Sequence, residues 1–523
     1  MKLFKFFLIL CVLYQNVISY KILAVLPVTS RSHYYIGHNL MKGLAEEGHD
    51  VTVVSPFKQK VPIKNYKEVF LENSWAISRK TMAKNNFVEL NTVHFWEWTL
   101  LCYSSGMDMN NWTVSSQNFQ NFLKIKQNFD VIIVEILLND ALLGLGQYYN
   151  APVIGLSAFG ASKFTTDLVG TPNFPSYVPF TSNHYTDRMN FWQRMYNSLS
   201  FWFEDIAMPL IYTPKQQKIM EKLFPEAKNW PSLEEIRRNV SLVLLNTHTT
   251  LGTPRPYAPN MIEVGGMQIQ KEIEPLTPKI KTFLDEAKNG AIYVSLGSQL
   301  LLHKLTQEKF NAIINAFKPH PNVRILIKND ENVVIPSHSQ SDVLVETWFN
   351  QQSILAHPRI RLFITHGGLL STTETVYFGK PVVGIPFMFD QHLNMYLAEQ
   401  KNYGVSVPFE NLSAERLASA ISKVLKNQSY AENAKLISDR FRDQPRTPLE
   451  TAMHWVKHVA KNKGAPHLRS VAVDLPFYKL YNLDVWAFIL SAIILMVYLL
   501  IKITQITVSM IVYSRSKDKR KKM

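Results

Sequence analysis

The sequence predicts an α/β protein with two Rossmann-like domains facing a cleft, an N-terminal signal peptide and one C-terminal transmembrane helix. Three observations predict it. Short apolar runs alternate with helix-forming stretches, first from Lys21 and again from Ala291, and that alternation builds parallel, doubly wound sheets. The chain has 523 residues, more than one hydrophobic core usually supports, so length asks for two soluble domains. Near the C-terminus, Val485 to Ile501 runs without a charge and is followed by Lys502 and a basic tail, the pattern of a membrane span with its tail in the cytosol.

Residues 1–19 read as a secretory signal: Lys2 and Lys5, an apolar stretch from Phe6 to Leu13, then short residues around Val17 and Ser19 suited to cleavage. The first domain, 20–267, opens on the strand Lys21-Ile-Leu-Ala-Val-Leu-Pro27. A Ser/His-rich turn, a helix ending near Gly48 and a strand from Val51 to Ser55 follow. Phe129 to Val134 and Ala151 to Leu156 supply further strands. A polar, proline-containing linker, 268–280, precedes the second domain, 281–475, whose strands are expected at Ala291–Ser295, Val323–Ile327, Arg361–Thr365 and Pro381–Ile385, with returning helices after them. The span is expected over 485–505 and the basic tail over 514–523. In sheets of this kind ligands bind beyond the carboxyl ends of the strands. Phe191, Met195, Leu199 and Trp202 recur at near-helical spacing, which fits a core-facing helix better than a membrane-touching or acceptor-lining one.

Apolar residues make up 46% of the chain and charged ones 19%, which excludes wholesale disorder. Of the net charge of +15, Lys2 and Lys5 contribute two and the tail a net five, so a diffuse +8 remains. That does not indicate nucleic acid and is compatible with a small anionic ligand. Cys11 falls in the signal, which leaves Cys102 alone and the mature chain without an internal disulfide. The end of the tail places lysines third and fifth from the terminus, like a dilysine retrieval signal of the endoplasmic reticulum. Four Asn-x-Ser/Thr acceptors, Asn111, Asn239, Asn411 and Asn427, all lie on the side that this topology puts in the lumen.

The stretch Phe363-Ile-Thr-His-Gly-Gly-Leu-Leu-Ser-Thr-Thr-Glu374, followed by Gly379 to Pro386 and Asp390-Gln391, has the chemistry of a phosphate site. A strand ends at Thr365, paired glycines allow close backbone approach, and a helix is expected from near Ser371 with free N–H groups and a positive dipole end. His366 and the hydroxyls of Ser371 and Thr372 add donors.

With Ser295-Leu-Gly-Ser298, Trp348 and Gln351, Leu355-Ala-His-Pro358 and Gly464-Ala-Pro-His-Leu-Arg469, the chain resembles the membrane-bound UDP-glycosyltransferase family over nearly its whole length. The resemblance implies a GT-B type fold whose first domain takes the acceptor and whose second takes the UDP-sugar. It implies that Trp348 stacks on uracil with Gln351 beside it and that Glu374 binds the ribose hydroxyls. Ser298, His366, Gly368 and Ser371 would contact the diphosphate, and Asp390 with Gln391 would hold the donor sugar. It places the general base at His33, since imidazole accepts a hydroxyl proton at neutral pH, and its carboxylate partner at Glu135, with Asp140 as the substitute. Vertebrate members carry aspartate at the position of Glu135, proline at that of Asn350, and many have asparagine at that of Leu370.

Arg255 in Pro254-Arg-Pro256 is a candidate contact for a glucuronate carboxylate. The Leu-Leu-Ser-Thr pattern, shared with invertebrate members, points instead to glucose. The expected activity is inverting transfer of a hexose, from UDP-glucose or UDP-glucuronic acid, to a small lipophilic acceptor, in detoxification or in hormone or pigment conjugation. No cofactor and no metal are expected, since no Asp-x-Asp motif is present. Alternatives are a membrane-lipid glycosyltransferase and a catalytically silent ligand-binding homologue. A homo-oligomer is compatible with the sequence, and the expected location is the endoplasmic reticulum membrane, single-pass type I.

Overall fold

In a computed structural model, residues 19–520 are described except 60, 75, 78–93, 184, 298–301, 303–304, 330, 332 and 389. The signal segment and the last three residues of the basic tail fall outside the described residues. The first sheet has seven parallel strands in the order β3-β2-β1-β4-β5-β6-β7: β1 Lys21–Val25, β2 Asp50–Ser55, β3 Tyr66–Phe70, β4 Val131–Glu135, β5 Val153–Ser157, β6 Leu242–Leu245 and β7 Met261–Glu263. The central strands read as unbroken apolar runs because both of their faces are covered. Helix α1, Arg31–Glu46, packs on one face so closely that a Cβ on Gly37 would stand 2.6 Å from Leu26 Cδ1.

The second sheet has six parallel strands in the order β10-β9-β8-β11-β12-β13: β8 Ala291–Ser295, β9 Arg324–Lys328, β10 Val343–Glu346, β11 Ile360–Thr365, β12 Val382–Gly384 and β13 Gly404–Ser406. Helices α4 (Gln351–Ala356), α5 (Leu369–Tyr377) and α6 (Gln391–Gln400) belong to this half, whereas α2 (Phe95–Ser115) and α3 (Phe191–Ala207) belong to the first. In each sheet the strand order reverses beside the first strand, between β1 and β4 and between β8 and β11. Those two switch points are where a doubly wound sheet opens a crevice.

Three features join the halves. Helix α7, Pro448–Asn462, buries Ala452, Val456 and Val459 in the core that also holds Leu40 and Leu44 of α1. Lys401 Nζ donates to the carbonyls of Thr250, Leu251 and Gly252 at 2.6, 2.9 and 3.2 Å. The Gln268 carbonyl accepts from Asn39 Nδ2 at 2.8 Å and Gln352 Nε2 at 3.1 Å, which ties the connecting segment to both.

Residues Ser470–Met523 form a separate compact unit. Its helix α8, Leu483–Arg520, presents apolar side chains on all sides, and Leu483–Asp518 has the length and composition to cross a membrane. The helix exceeds the 485–505 span expected from sequence at both ends, since nothing between Ile503 and Tyr513 breaks it. At 1.5 Å per residue it is roughly 57 Å long, well beyond a ~30 Å hydrocarbon core.

Candidate functional site

Residue His33 lies in the first turn of α1, directly after β1, and Glu135 is the last residue of β4, the neighbour of β1 across the first switch point. Glu135 Oε1 and His33 Nδ1 are 2.7 Å apart, with the carboxylate buried and the imidazole half-buried. A carboxylate only accepts, so Nδ1 carries the proton and Nε2 keeps its lone pair. Phe159 meets the imidazole edge-to-face at 5.0 Å, which fixes the ring further. Asp140 does not substitute for Glu135. It turns to Arg237, 3.5 Å away and also buried, because the turn after β4 carries it past the strand end into the short helix Asp140–Gly144.

The second switch point builds the facing wall. Thr365 of β11 is in register with Ser295 of β8, so the residues that follow, Gly297 and His366, come together. A Cβ on Gly297 would stand 2.7 Å from His366 Cε1, and one on Gly368 would stand 2.6 Å from His366 Nε2. The imidazole therefore sits between two positions that only glycine can occupy. Burial, with the Lys328 ammonium adding to it, pushes His366 down to about 4, which keeps it neutral at physiological pH. Gly368 caps α5, whose first residue is Leu369 rather than Ser371, and its free amides face the cleft. Ser298 falls outside the described residues.

Glu374 is buried, and both its oxygens accept hydrogen bonds: Oε2 from Gln351 Nε2 at 2.5 Å and Oε1 from Gln352 Nε2 at 3.1 Å. Burial raises it to about 6 in spite of those two amides. Gln351 also donates to Ser371 Oγ at 3.2 Å, which links base, ribose and phosphate candidates in one network. Trp348 stands 51% exposed at the rim. Lys328 Nζ lies 4.6 Å from its ring and Arg31 of the first half 5.8 Å from it. Asn350 caps α4 by accepting from Ser353 N at 3.3 Å and donates to Glu274 at 2.8 Å, so where relatives have proline this chain has a helix cap. Leu370 packs against the first-domain core in place of a polar contact.

Where the family resemblance expects the donor sugar, Gln391 Oε1 accepts from the backbone N–H of Phe387 and Met388, which shapes the turn and leaves its amide nitrogen for a ligand. Asp390 accepts from Asn394 Nδ2 at 2.6 Å. Burial raises its carboxyl, with the Asn394 bond and the charge of His33 across the cleft opposing. Arg255 donates to the Ala161 carbonyl at 3.2 Å and to Asn173 Oδ1 at 2.9 Å, and its Nε has no partner among the described residues. The four glycosylation candidates, Asn111, Asn239, Asn411 and Asn427, are all exposed.

One cavity of about 1430 Å³ takes in His33, Phe159, Arg255, Trp348, His366, Glu374 and Asp390. That exceeds the space a single drug-sized ligand needs and suits two substrates meeting. Sequence reasoning did not find Lys328, Arg31, Gln352 or Asn394. Lys328 ends β9, beside the first strand of its sheet, and its Nζ donates to the Gly297 carbonyl at 3.0 Å. Its place at a carboxyl strand end was the available signal.

Two Rossmann-like halves, with a His-carboxylate pair facing a glycine-lined helix N-terminus across one cavity, have the architecture of a GT-B glycosyltransferase. The calicheamicin glycosyltransferase CalG4 has a similar fold, with a TM-score of 0.57 at 14% identity over 85% of this chain and 99% of that one. The family model for "UDP-glucoronosyl and UDP-glucosyl transferase" matches residues 21–519, and the chain belongs to that family. UDP-glycosyltransferase UGT5 of Dactylopius coccus is 33% identical over 96% of this chain and 95% of its own. UDP-glucuronosyltransferase 3A1 of Bos taurus is 30% identical over 90% of each.

Proposed function

We propose that this UDP-sugar transferase moves glucose from UDP-glucose to a hydroxyl of a small lipophilic acceptor, with inversion. The observation that carries the reading is that the His33–Glu135 pair and the cradle around His366 open onto one cavity. His33 Nε2 takes the hydroxyl proton while Glu135 stabilises the imidazolium. The acceptor oxygen forms its bond to the anomeric carbon as the bond from that carbon to the UDP oxygen breaks, and UDP leaves with the electron pair. Lys328 and the α5 amides supply positive charge to the departing diphosphate, so no metal is invoked. Phe95, Trp98, Phe164 and Phe180 give the acceptor side an apolar lining, which fits phenols, steroid-like hormones or pigments.

Glucose as donor is supported by the neutral partners that Arg255 already has, the Ala161 carbonyl and Asn173 Oδ1, which occupy two of its five N–H groups. The free Nε and the absence of a carboxylate on Arg255 among the described residues favour glucuronic acid as the second reading. We further propose a single-pass endoplasmic reticulum protein anchored by α8, with the catalytic domains luminal.

The test is UDP release by microsomes expressing the chain, with UDP-glucose or UDP-glucuronic acid, across phenols, steroids and membrane lipids, for wild type and His33→Ala. Acceptor-dependent release with UDP-glucose, lost in the variant, is expected. Faster turnover of UDP-glucuronic acid overturns the donor, and a preference for lipids overturns the acceptor. Binding of UDP without any release marks a silent carrier.

A further inference from the structure

Two polar atoms in the acceptor wall of the cavity are left by the fold without partners. Helix α3 buries Asn197, Ser200 and Glu204 beside Phe201 and Ala207, whereas Phe191, Met195, Leu199 and Trp202, the stripe expected to face the core, are exposed. Asn197 and Ser200 are satisfied by their neighbours. Asn197 Nδ2 donates to the carbonyls of Pro175 and Val178 at 2.8 Å each, and Ser200 Oγ accepts from Asn183 Nδ2 at 2.9 Å. Glu204 is 1% exposed, and its Oε1 has no hydrogen-bond partner among the described residues. The nearby cations are engaged elsewhere. Lys163 Nζ directs its three N–H groups to Asp167, at 2.8 and 3.1 Å, and to Asp205 at 2.5 Å, and Arg237 turns to Asp140 and Glu234. The hydroxyl of Tyr103, also unpaired among the described residues, packs with Leu138, Met208 and Tyr212. Ser182 Oγ is the second buried atom of this wall without a partner among the described residues. Its neighbour Asn183, through the bond to Ser200, anchors that loop one helical turn, roughly 6 Å, before Glu204. Ser182 and Glu204 line the cavity together with the apolar side chains of Phe95, Trp98, Phe164 and Phe180.

Buried polar atoms are nearly always paired, and an unpaired one in the wall of a ligand cavity is available to the ligand. We infer that Glu204 and Ser182 receive a second hydroxyl of the acceptor, at the end opposite the one glycosylated, so that the preferred substrates are lipophilic diols. The inference rests on the proposed transfer to an acceptor hydroxyl held at His33. A hydroxyl both donates and accepts, which suits a carboxyl and a serine placed together. Burial raises Glu204 to about 8, with Asp167 and Asp205 adding to it and the Lys163 ammonium opposing. The group is therefore largely protonated at neutral pH and offers a ligand hydroxyl one donor and one acceptor rather than a charge for an ammonium. The reach also fits a small molecule. Phe159, which meets the His33 ring, and Lys163, which is tied to Asp205 beside Glu204, are four residues apart, so their Cα atoms lie within about 14 Å. A molecule of two or three rings spans that length. An acceptor with only an apolar far end leaves both polar atoms unpaired, and that difference is the source of the selectivity.

The experiment uses the full chain in detergent, both donor sugars and three matched acceptors. These are para-phenylphenol, the biphenyldiol with a hydroxyl at each end, and the phenylphenol with an aminomethyl group at its far end. Wild type should show a KM for the diol about tenfold below that for phenylphenol, as for one hydrogen bond gained in a dry pocket. Glu204→Leu should bring the two KM values together, and Ser182→Ala should narrow the gap about threefold. Glu204→Gln keeps a donor and an acceptor and should keep most of the gap. Calorimetric Kd values for the same acceptors with UDP bound should follow the same order, and they need no turnover. A diol no better than phenylphenol in wild type overturns the proposal. So does a gap that survives both Glu204→Leu and Ser182→Ala, which with a lowered Tm would make Glu204 a structural acid only. Tighter binding of the aminomethyl compound than of the diol overturns it too, since the pocket would then hold a cation. UDP release with none of the three, beside a diol gap in calorimetry, would instead sink the enzymatic reading and leave the pocket assignment standing.

Discussion

The Nδ1 of His33 and Oε1 of Glu135 stand 2.7 Å apart across the first switch point, so glutamate here makes the contact that the family resemblance assigns to aspartate. The extra methylene is absorbed because β4 ends at Glu135 with the side chain fully buried against its neighbours. Glu135→Asp should therefore not restore the usual dyad. It withdraws the carboxylate by about one bond length, and kcat should fall about 10-fold to 100-fold with the acceptor KM little changed. Glu135→Gln can present an N–H to Nδ1 and turn the imidazole to the wrong tautomer, so it should fall further, towards the ~10³-fold or greater loss expected for His33→Ala. Steady-state UDP release separates kcat from KM. An Asp variant as active as wild type would show that the dyad length is immaterial.

Much of this site is legible in the sequence, because strand ends and glycine-rich turns are local signals. The block from Phe363 to Gln391 could be read along the chain since β11, α5, β12 and α6 follow one another through the cleft. Arg31 could not, because it meets Trp348 from the other half of the chain, and Lys328 was marked only by its place at a strand end. The short strands β6, β7 and β13 were equally hidden: three or four residues carry no period. Helix α3 misled in a different way. Its apolar spacing is real, but periodicity gives the existence of a stripe and not the side of the helix that packs. Here the packed side is a mixed one, on which Asn197, Ser200 and Glu204 are buried beside Phe201 and Ala207.

The ring of Trp348 and the ammonium of Lys328 lie 4.6 Å apart, and the part proposed for each in donor binding can be dissected. Stacking of a base on an aromatic ring is worth about 1–3 kcal/mol, so Trp348→Ala should raise the UDP-sugar KM about tenfold or more with a smaller effect on kcat. Lys328→Met removes a charge from the diphosphate side and should weaken UDP binding by about tenfold, as for a lost charge-assisted hydrogen bond. It should also let the His366 imidazole titrate higher, since Lys328 contributes to holding it down. Calorimetry with UDP and proton NMR of the histidine rings measure the two effects. Unchanged UDP affinity in Lys328→Met would remove this residue from the donor site.

Glu374 makes donor binding depend on pH in a calculable direction. Burial raises its carboxyl from 4.5 to about 6, above its unfolded value. The ligand-free protein thus has this contribution to stability in full below the unfolded value and loses it as pH rises through about 6, by roughly 2 kcal/mol at most. A ribose diol that donates to the ionised carboxylate offsets the penalty. The KM for UDP-glucose, whose diphosphate does not titrate in this range, should therefore fall as pH rises through about 6, and Glu374→Gln should flatten the dependence. A pH-independent donor KM in wild type would place the ribose elsewhere.

Lys401 is one of the three features that join the two halves, and its removal tests stability and turnover together. Its ammonium, at the end of α6, donates to three successive carbonyls, those of Thr250, Leu251 and Gly252, just before Pro254-Arg-Pro256. No hydrophobic replacement can satisfy those acceptors, and the side chain is too enclosed for water to do so freely. Lys401→Met should cost about 2–3 kcal/mol, seen as a lower Tm and a lower denaturant midpoint. Because Lys401 touches neither His33 nor the Trp348 rim, UDP should bind the folded variant with near-normal affinity. Acceptor turnover should fall, since the loop that Lys401 holds also carries Arg255 into the cavity and the two walls would no longer meet in fixed register. Lys401→Arg keeps the charge and up to five donors, and should recover stability before it recovers kcat. If the Met variant melted like wild type, the clamp would be dispensable, and α7 together with the Gln268 bridge would suffice to hold the halves.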